Sequence, residues 1–217
     1  MIGKDLHFNN STVYVYLAYF DKNVQVQPVQ PAIRNQLVQR CTDTLTRQQR
    51  YCVWRLLDYA LKQHCGKGVD GFSFNVSSNG KWSSNANAQF SLSHSNNVVA
   101  VAICEKAVGV DVEAVSSFAD RARDEAFVNR VLNSDEHRQL AYCEVSRRGQ
   151  QLALLWTHKE SLFKMEDHPY FAPRSIDTTK RPAYSRLLEV DGRQYALSVA
   201  AREPFKVEIN QVCDIWK

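Results

Sequence analysis

The sequence contains no apolar run of about 18 residues, so nothing in it reads as a membrane-spanning helix. Its first residues, MIGKDLHFNN, have no apolar segment and no small-residue cleavage site, which sets a secretory leader aside and makes the cytoplasm the expected location. The six cysteines stand singly, with no C-x-x-C pair and no histidine at zinc-finger spacing. Neither a disulfide framework nor a structural zinc site is therefore expected, and thiols in segments such as VVAVAIC are expected to be reduced and buried. The phosphate-loop patterns G-x-x-x-x-G-K-[ST] and G-x-G-x-x-G are missing, as is the G-x-S-x-G elbow of a serine nucleophile. Charge of neither sign dominates: 27 Lys and Arg oppose 23 Asp and Glu, for a net +4. That balance suits an anionic ligand or an acidic partner without requiring either.

What is present is an ordinary globular composition, 44% hydrophobic and 11% aromatic over 217 residues, enough for one large domain or two of roughly 100 residues. The run TVYVYLAYF (12–20) is β-branched and aromatic and predicts a strand, followed by a polar, proline-bearing stretch. From Thr46 to His64 apolar residues recur three and four apart, and Cys65-Gly66-Lys67-Gly68 is a stop signal, so this segment is expected to be a helix. Strand-like runs follow at 72–77, 89–94, 98–104 and 107–115, with Ser95-Asn96-Asn97 as a tight turn. Helices are then expected at 119–132, 134–144 (with Ser134 as N-cap) and 149–165, and strands at 185–190, 194–201 and 207–212 around an Asp191-Gly192 turn. The element order implies an α/β (α+β) fold of two similar subdomains, 1–108 and 109–217, each a small, mainly antiparallel sheet packed with helices.

Three segments carry candidate chemistry. In Val108-Gly109-Val110-Asp111-Val112-Glu113 the period-two alternation of a strand puts the valines on one face and Gly109, Asp111 and Glu113 on the other. Two carboxylates on one face repel, so they are either solvated on an exposed edge or matched by a cation, for which magnesium, a taker of oxygen ligands, is suited. Gly109 on the same face would admit close approach of a ligand or a backbone. In Trp156-Thr157-His158-Lys159-Glu160-Ser161-Leu162-Phe163-Lys164, Glu160 and Lys164 lie side by side on a helix, as a surface ion pair or as a metal ligand and a phosphate cation. Lys159 falls within the apolar stripe and must snorkel, pair with a buried acid or face a ligand. In FSLSHS (90–95), His94 follows the apolar side of the alternation and reads as a packed histidine, with phosphate contact by Ser93 and His94 as the rival.

In this order and together, FSLSHS, VGVDVE and WTHKESLFK resemble the Sfp-type 4′-phosphopantetheinyl transferases, with identifiable motifs from about Arg47 to Lys164. The resemblance implies a pseudo-dimer whose central cleft binds coenzyme A and Mg2+, and transfer of the phosphopantetheine arm to a serine of an acyl or peptidyl carrier protein with release of 3′,5′-ADP. By matching positions it implies Asp111, Glu113 and Glu160 as metal ligands, with Asp111, Glu160 and Lys164 as the catalytic set. Glu160 would be the base, directly or through a water, and Lys164 would steady the phosphate. Ser93 and His94, Lys81 and Arg55 (or Arg50) would join Lys164 in holding coenzyme A. Two departures stand out: Trp82 replaces the usual proline after Gly80-Lys81, and Met165-Glu166-Asp167-His168-Pro169 replaces a glycine-bearing turn. The expectation is a monomer that engages neither nucleic acid nor membrane. The rival readings are a non-catalytic coenzyme A or carrier-protein binding module, and a nucleic-acid binder using Arg47, Arg50, Arg55 and Lys62, residues that a solvated helix face explains equally well.

Overall fold

The computed structural model describes residues 12–77, 80–166, 168–213 and 215–216. Part of the Ser/Asn turn before Gly80, and Asp167 in the segment after Lys164, lie outside these. The chain folds as layers of helix, sheet, sheet and helix. The first sheet has the order β4-β5-β1-β9, built from β1 (Thr12–Tyr19), β4 (Gln89–Ser95), β5 (Val98–Cys104) and β9 (Lys206–Val212). The second has the order β6-β8-β7, from β6 (Val108–Ala114), β7 (Tyr184–Val190) and β8 (Arg193–Ala201). A two-stranded ribbon, β2 (Phe74–Val76) with β3 (Trp82–Ser84), stands beside them. Apart from the parallel pair β1–β9, all the pairings are antiparallel. β9 follows the 108/109 division in sequence yet is hydrogen-bonded to β1.

Alternation explains the layering. On β5 every residue is buried: Val99, Val101 and Ile103 pack toward the long helix α2 (Thr44–Cys65), whereas Val98, Ala100 and Ala102 pack with Val108, Val110 and Val112 of β6. A strand buried on both faces needs the continuous apolar run that VVAVAIC provides. The outer face of the second sheet is covered by α3 (Glu125–Val131), α4 (Ser134–Tyr142) and α5 (Arg148–Glu166), through Phe118, Phe127, Leu140, Leu152, Leu155 and Ala196.

Local signals set the ends of these elements. Asp43 caps α2 by accepting from the Thr46 amide at 2.7 Å, and Gly66 ends it at φ 68. Asn96 (φ 48) makes the β4–β5 turn, and Asp191 and Gly192, both with positive φ, make the β7–β8 turn. The single helix expected at 119–132 is instead one 3-10 turn, Arg121–Arg123, followed by α3. Asp124 stands extended and accepts from the Ala126 and Phe127 amides, so its side chain restarts the helix where periodicity alone would carry it through. Asn133, rather than Ser134, caps α4 in a capping box with Glu136. The polar stretch after β1 holds an unexpected helix, α1 (Ala32–Gln39).

Lys159 is fully buried and pairs with Glu136, also fully buried, at 2.6 Å. Its other donors meet the carbonyls of Pro173 and Ile176, so all three ammonium protons are used. Glu136 also accepts from the Asn133 amide and from the amide and hydroxyl of Thr178. Burial alone would raise the Glu136 carboxyl, but Lys159, Thr178 and Asn133 outweigh it and hold it below its usual range. Burial keeps Lys159 below its own ordinary value despite Glu136. The two shifts do not mirror each other because the remaining partners of Lys159 are neutral carbonyls. Lys159→Met is expected to cost about 3–5 kcal/mol in denaturant unfolding, and Lys159→Met with Glu136→Gln to recover part of that loss by removing the stranded charge. A carboxyl with a lowered folded pKa gives stability that is present above its unfolded value and lost as pH falls through the folded one. The wild type should therefore lose stability below about pH 4.5, and the double variant should lack that share of the loss.

Candidate active site

β6 is an edge strand, and such a strand leaves alternate amides without a ladder partner. The serines of β4 fill those positions. Ser91 Oγ accepts from the Val110 amide at 3.0 Å, Ser93 Oγ from Val112 at 3.2 Å and Ser95 Oγ from Ala114 at 3.0 Å. A hydroxyl that accepts still has a proton to give. Ser93 gives it to Asp111 Oδ1 and Ser95 to Glu113 Oε2, each at 2.7 Å. Because both strands repeat every two residues, one seam satisfies the edge of β6 and grips both acids. Asp111 and Glu113 are thus neither solvated nor on an open edge: Asp111 is 4% exposed and Glu113 half-buried.

The helix that brings the third acid comes close because residue 109 is glycine. A Cβ there would lie 1.9 Å from the Ser161 carbonyl oxygen and 2.7 Å from the Met165 amide nitrogen, so the close approach is that of the α5 backbone. α5 thereby sets Glu160 and Lys164 over β6. Lys164 Nζ donates to Asp111 Oδ1 at 2.7 Å, Ser93 Oγ at 3.2 Å and the Val110 carbonyl at 3.3 Å. Its ion pair is with Asp111, not the i,i+4 pair with Glu160 that spacing alone suggests. The Ser93 hydroxyl, donating to Asp111 and accepting from Val112 and Lys164, is fully used within the protein.

Asp111, Glu113, Glu160 and Lys164 line a cleft of about 600 Å³, shared with Arg34, Arg50, Trp82, Ser93 and His94. Glu113 and Glu160 are both pushed up to about 7, first by burial and next by the charge of Asp111. Burial opposes the charge on Lys164, but Asp111 and Glu160 outweigh it and raise its pKa. One lysine thus faces three carboxylates, and negative charge is in surplus.

Cations gather elsewhere along the same cleft. Arg34 of α1 is 6% exposed, with its Cζ 4.9 Å from the Trp54 ring and 5.5 Å from the Trp82 ring. It donates to the Arg50 carbonyl, while its Nε has no partner among the described residues, and burial followed by Arg50 draws its pKa down to about 10. Arg50 donates to the Leu37 carbonyl at 2.9 Å. His94 is not a packed core residue: its side chain is exposed and lines the cleft. Crowding by the cleft walls lowers its pKa first, helped by the positive charge of Lys164 and Arg34, so it stays neutral at pH 7.

Of the residues singled out in the sequence, Asp111, Glu113, Glu160, Lys164, Ser93 and His94 come together. Arg55 does not line the cleft, and Arg50 does, because the two are about 140° apart on α2 at roughly 100° per residue. Lys81 donates to the Met165 carbonyl at 3.4 Å and lines a smaller recess of about 160 Å³ beside Phe163 and Lys164. Arg34 was not anticipated; the signal for it is Pro31 opening a segment with Leu37 and Val38 at helical spacing from Arg34.

Among the described residues no group of three or more histidines, cysteines or acids is arranged so that it could hold a metal ion by itself. Asp111 Oδ2 is buried without a partner among the described residues, which leaves it as an acceptor for a further ligand. Magnesium commonly takes one or two carboxylates and completes its shell with waters and substrate phosphates, so a closed cage is not required.

A mixed α/β frame with acids, a lysine and arginines along one cleft suits a protein that handles a polyanionic ligand. Residues 107–206 match the family model of the 4′-phosphopantetheinyl transferase superfamily (ACPS). That span holds Asp111, Glu113, Glu160 and Lys164, and excludes Ser93 and His94. No curated protein matches the chain. The match supports the resemblance at the level of the superfamily and points to phosphopantetheinyl transfer. Among the described residues no helix is long and apolar enough to cross a membrane.

The packing of α5 on β6 is directly testable. Gly109→Ala should force the two backbones apart and lower stability by about 1–3 kcal/mol, read as an earlier midpoint in urea.

Proposed function

We propose that the protein transfers the 4′-phosphopantetheine arm of coenzyme A to a serine of an acyl or peptidyl carrier protein, with Mg2+, releasing 3′,5′-ADP. The observation that carries this reading is the meeting of Asp111, Glu113, Glu160 and Lys164 in one cleft with Arg34, Arg50 and His94. The first group suits a diphosphate with its metal, the second a further phosphate.

The residues act as follows. Asp111, Glu113 and Glu160 would hold magnesium, which when bound supplies positive charge to the pyrophosphate oxygens. Lys164, held beside Asp111, sets its positive charge near the phosphate under attack as charge accumulates there. Glu160 accepts the proton of the carrier serine, directly or through a water, since the attacking hydroxyl must lose it. Arg50 and Arg34 bind the remaining phosphate; Arg34 is held by two indole faces and so loses little freedom on binding. His94, neutral at pH 7, contributes a hydrogen bond rather than a charge. No protein nucleophile is needed. The halves 1–108 and 109–217 together build the cleft, so a monomer suffices.

Incubation with coenzyme A, Mg2+ and a panel of apo carrier proteins is expected to add phosphopantetheine to a carrier serine, read by mass spectrometry. Coenzyme A binding without any such product across the panel would leave a binding module instead. Asp111→Ala and Glu160→Ala should each lower turnover roughly a hundredfold or more. Arg50→Gln should raise the KM for coenzyme A by roughly tenfold, the scale of one charged hydrogen bond, whereas Arg55→Gln should leave it unchanged.

A further inference from the structure

The serines of β4 invite a different assignment from phosphate contact. Ser91, Ser93 and Ser95 are 7%, 5% and 7% exposed, and each accepts from a β6 amide. They differ in what lies beside that amide. Ser95 meets Glu113 and Ser93 meets Asp111, but Ser91 stands level with Gly109, which has no side chain to receive its proton.

We propose that Ser93 and Ser95 are positioning residues for the acid pair, setting the orientation in which Asp111 and Glu113 receive a divalent cation. The inference rests on the transferase reading above, in which these acids hold the metal. A serine hydroxyl pinned by a backbone amide has its proton direction fixed, so it fixes the carboxylate oxygen that accepts it. Ser93 and Lys164 both occupy Asp111 Oδ1, which leaves Oδ2 as the atom without a partner. A carboxylate presented by one chosen oxygen, with the other tied back, is how partners behind a metal ligand preorganise it. The Ser93 hydroxyl, with its proton and both acceptor positions engaged, has nothing left to offer a phosphate.

Ser91 supplies the control within the same seam: Ser91→Ala loses the amide contact but uncouples no acid. The probe is Mn2+, a spectroscopic stand-in for magnesium, with its free concentration read by electron paramagnetic resonance in the presence of coenzyme A. Ser93→Ala should raise the Mn2+ dissociation constant roughly tenfold, the usual lower end for losing a partner behind a metal ligand. Ser95→Ala should shift it in the same direction, while Ser93→Thr, which keeps a hydroxyl, and Ser91→Ala should hold the wild-type value. Calorimetric binding of 3′,5′-ADP without metal should be the same in Ser93→Ala as in the wild type. Loss of that binding would give the hydroxyl to a phosphate and overturn the assignment, as would Mn2+ affinity unchanged in both Ser93→Ala and Ser95→Ala. Should Ser93→Ala fail to fold, Ser95→Ala decides on the same readout. A wild type that binds neither Mn2+ nor 3′,5′-ADP overturns the transferase reading itself; one that binds both, with serine variants indistinguishable from it, overturns only this inference.

Discussion

The hydrogen-bonded seam between β4 and the free edge of β6 fixes how the two sheets meet, and with that, where two of the three cleft acids stand. Each serine–amide bond contributes on the order of 1 kcal/mol, so the seam is small beside the apolar burial between the sheets. Its importance is register. Sliding either strand by one residue would turn the serines away and bring valines to the acid face, because the side-chain period is two. Val108, Val110 and Val112 in the core between the sheets enforce the same register from the other side of β6. Packing and polar pairing therefore agree on a single placement of Asp111 and Glu113.

α5 depends on that placement in turn. Gly109 lets its backbone lie against β6, and Lys164 reaches Asp111 and Ser93 from above the seam. On the far side of the helix, Lys159 and Glu136 tie α5 to α4 and to the segment around Thr178. Neighbouring residues of one helix thus have opposite duties: Lys159 is locked into the interior with every donor met, while Glu160 faces the cleft with its charge only partly compensated. Surplus negative charge on one stretch of the cleft and a buried, stacked arginine on another suit a ligand that carries several phosphates and brings a cation with it.

Much of this was legible in the sequence. VGVDVE announces a strand with two acids on one face, and WTHKESLFK announces a helix with an acid and a lysine one turn apart; both features are local, set by periods of two and 3.6. What sequence could not settle depends on tertiary partners. Whether Lys159 met an acid or a ligand turned on Glu136, which lies 23 residues away. His94 shares an alternation with Phe90 and Leu92 but sits near the strand end, where the core has given way to the cleft. Arg55 and Arg50 could not be separated without knowing which face of α2 meets the first sheet. Arg34 is hard to place from sequence because a helix of eight residues has little periodicity to show. That Ser91, Ser93 and Ser95 meet amides of β6 was not legible either, because nothing in FSLSHS reveals the edge of β6 beside it.

The central claim is that acids from two segments distant in sequence act on one metal-bound diphosphate. A crystal structure with coenzyme A and Mg2+ tests it most directly. The expected result is magnesium held by Asp111, Glu113 and Glu160 beside the pyrophosphate, with Lys164 near the phosphate to be transferred. A coenzyme A bound with its pyrophosphate away from these acids, or a metal held by other residues, would contradict it.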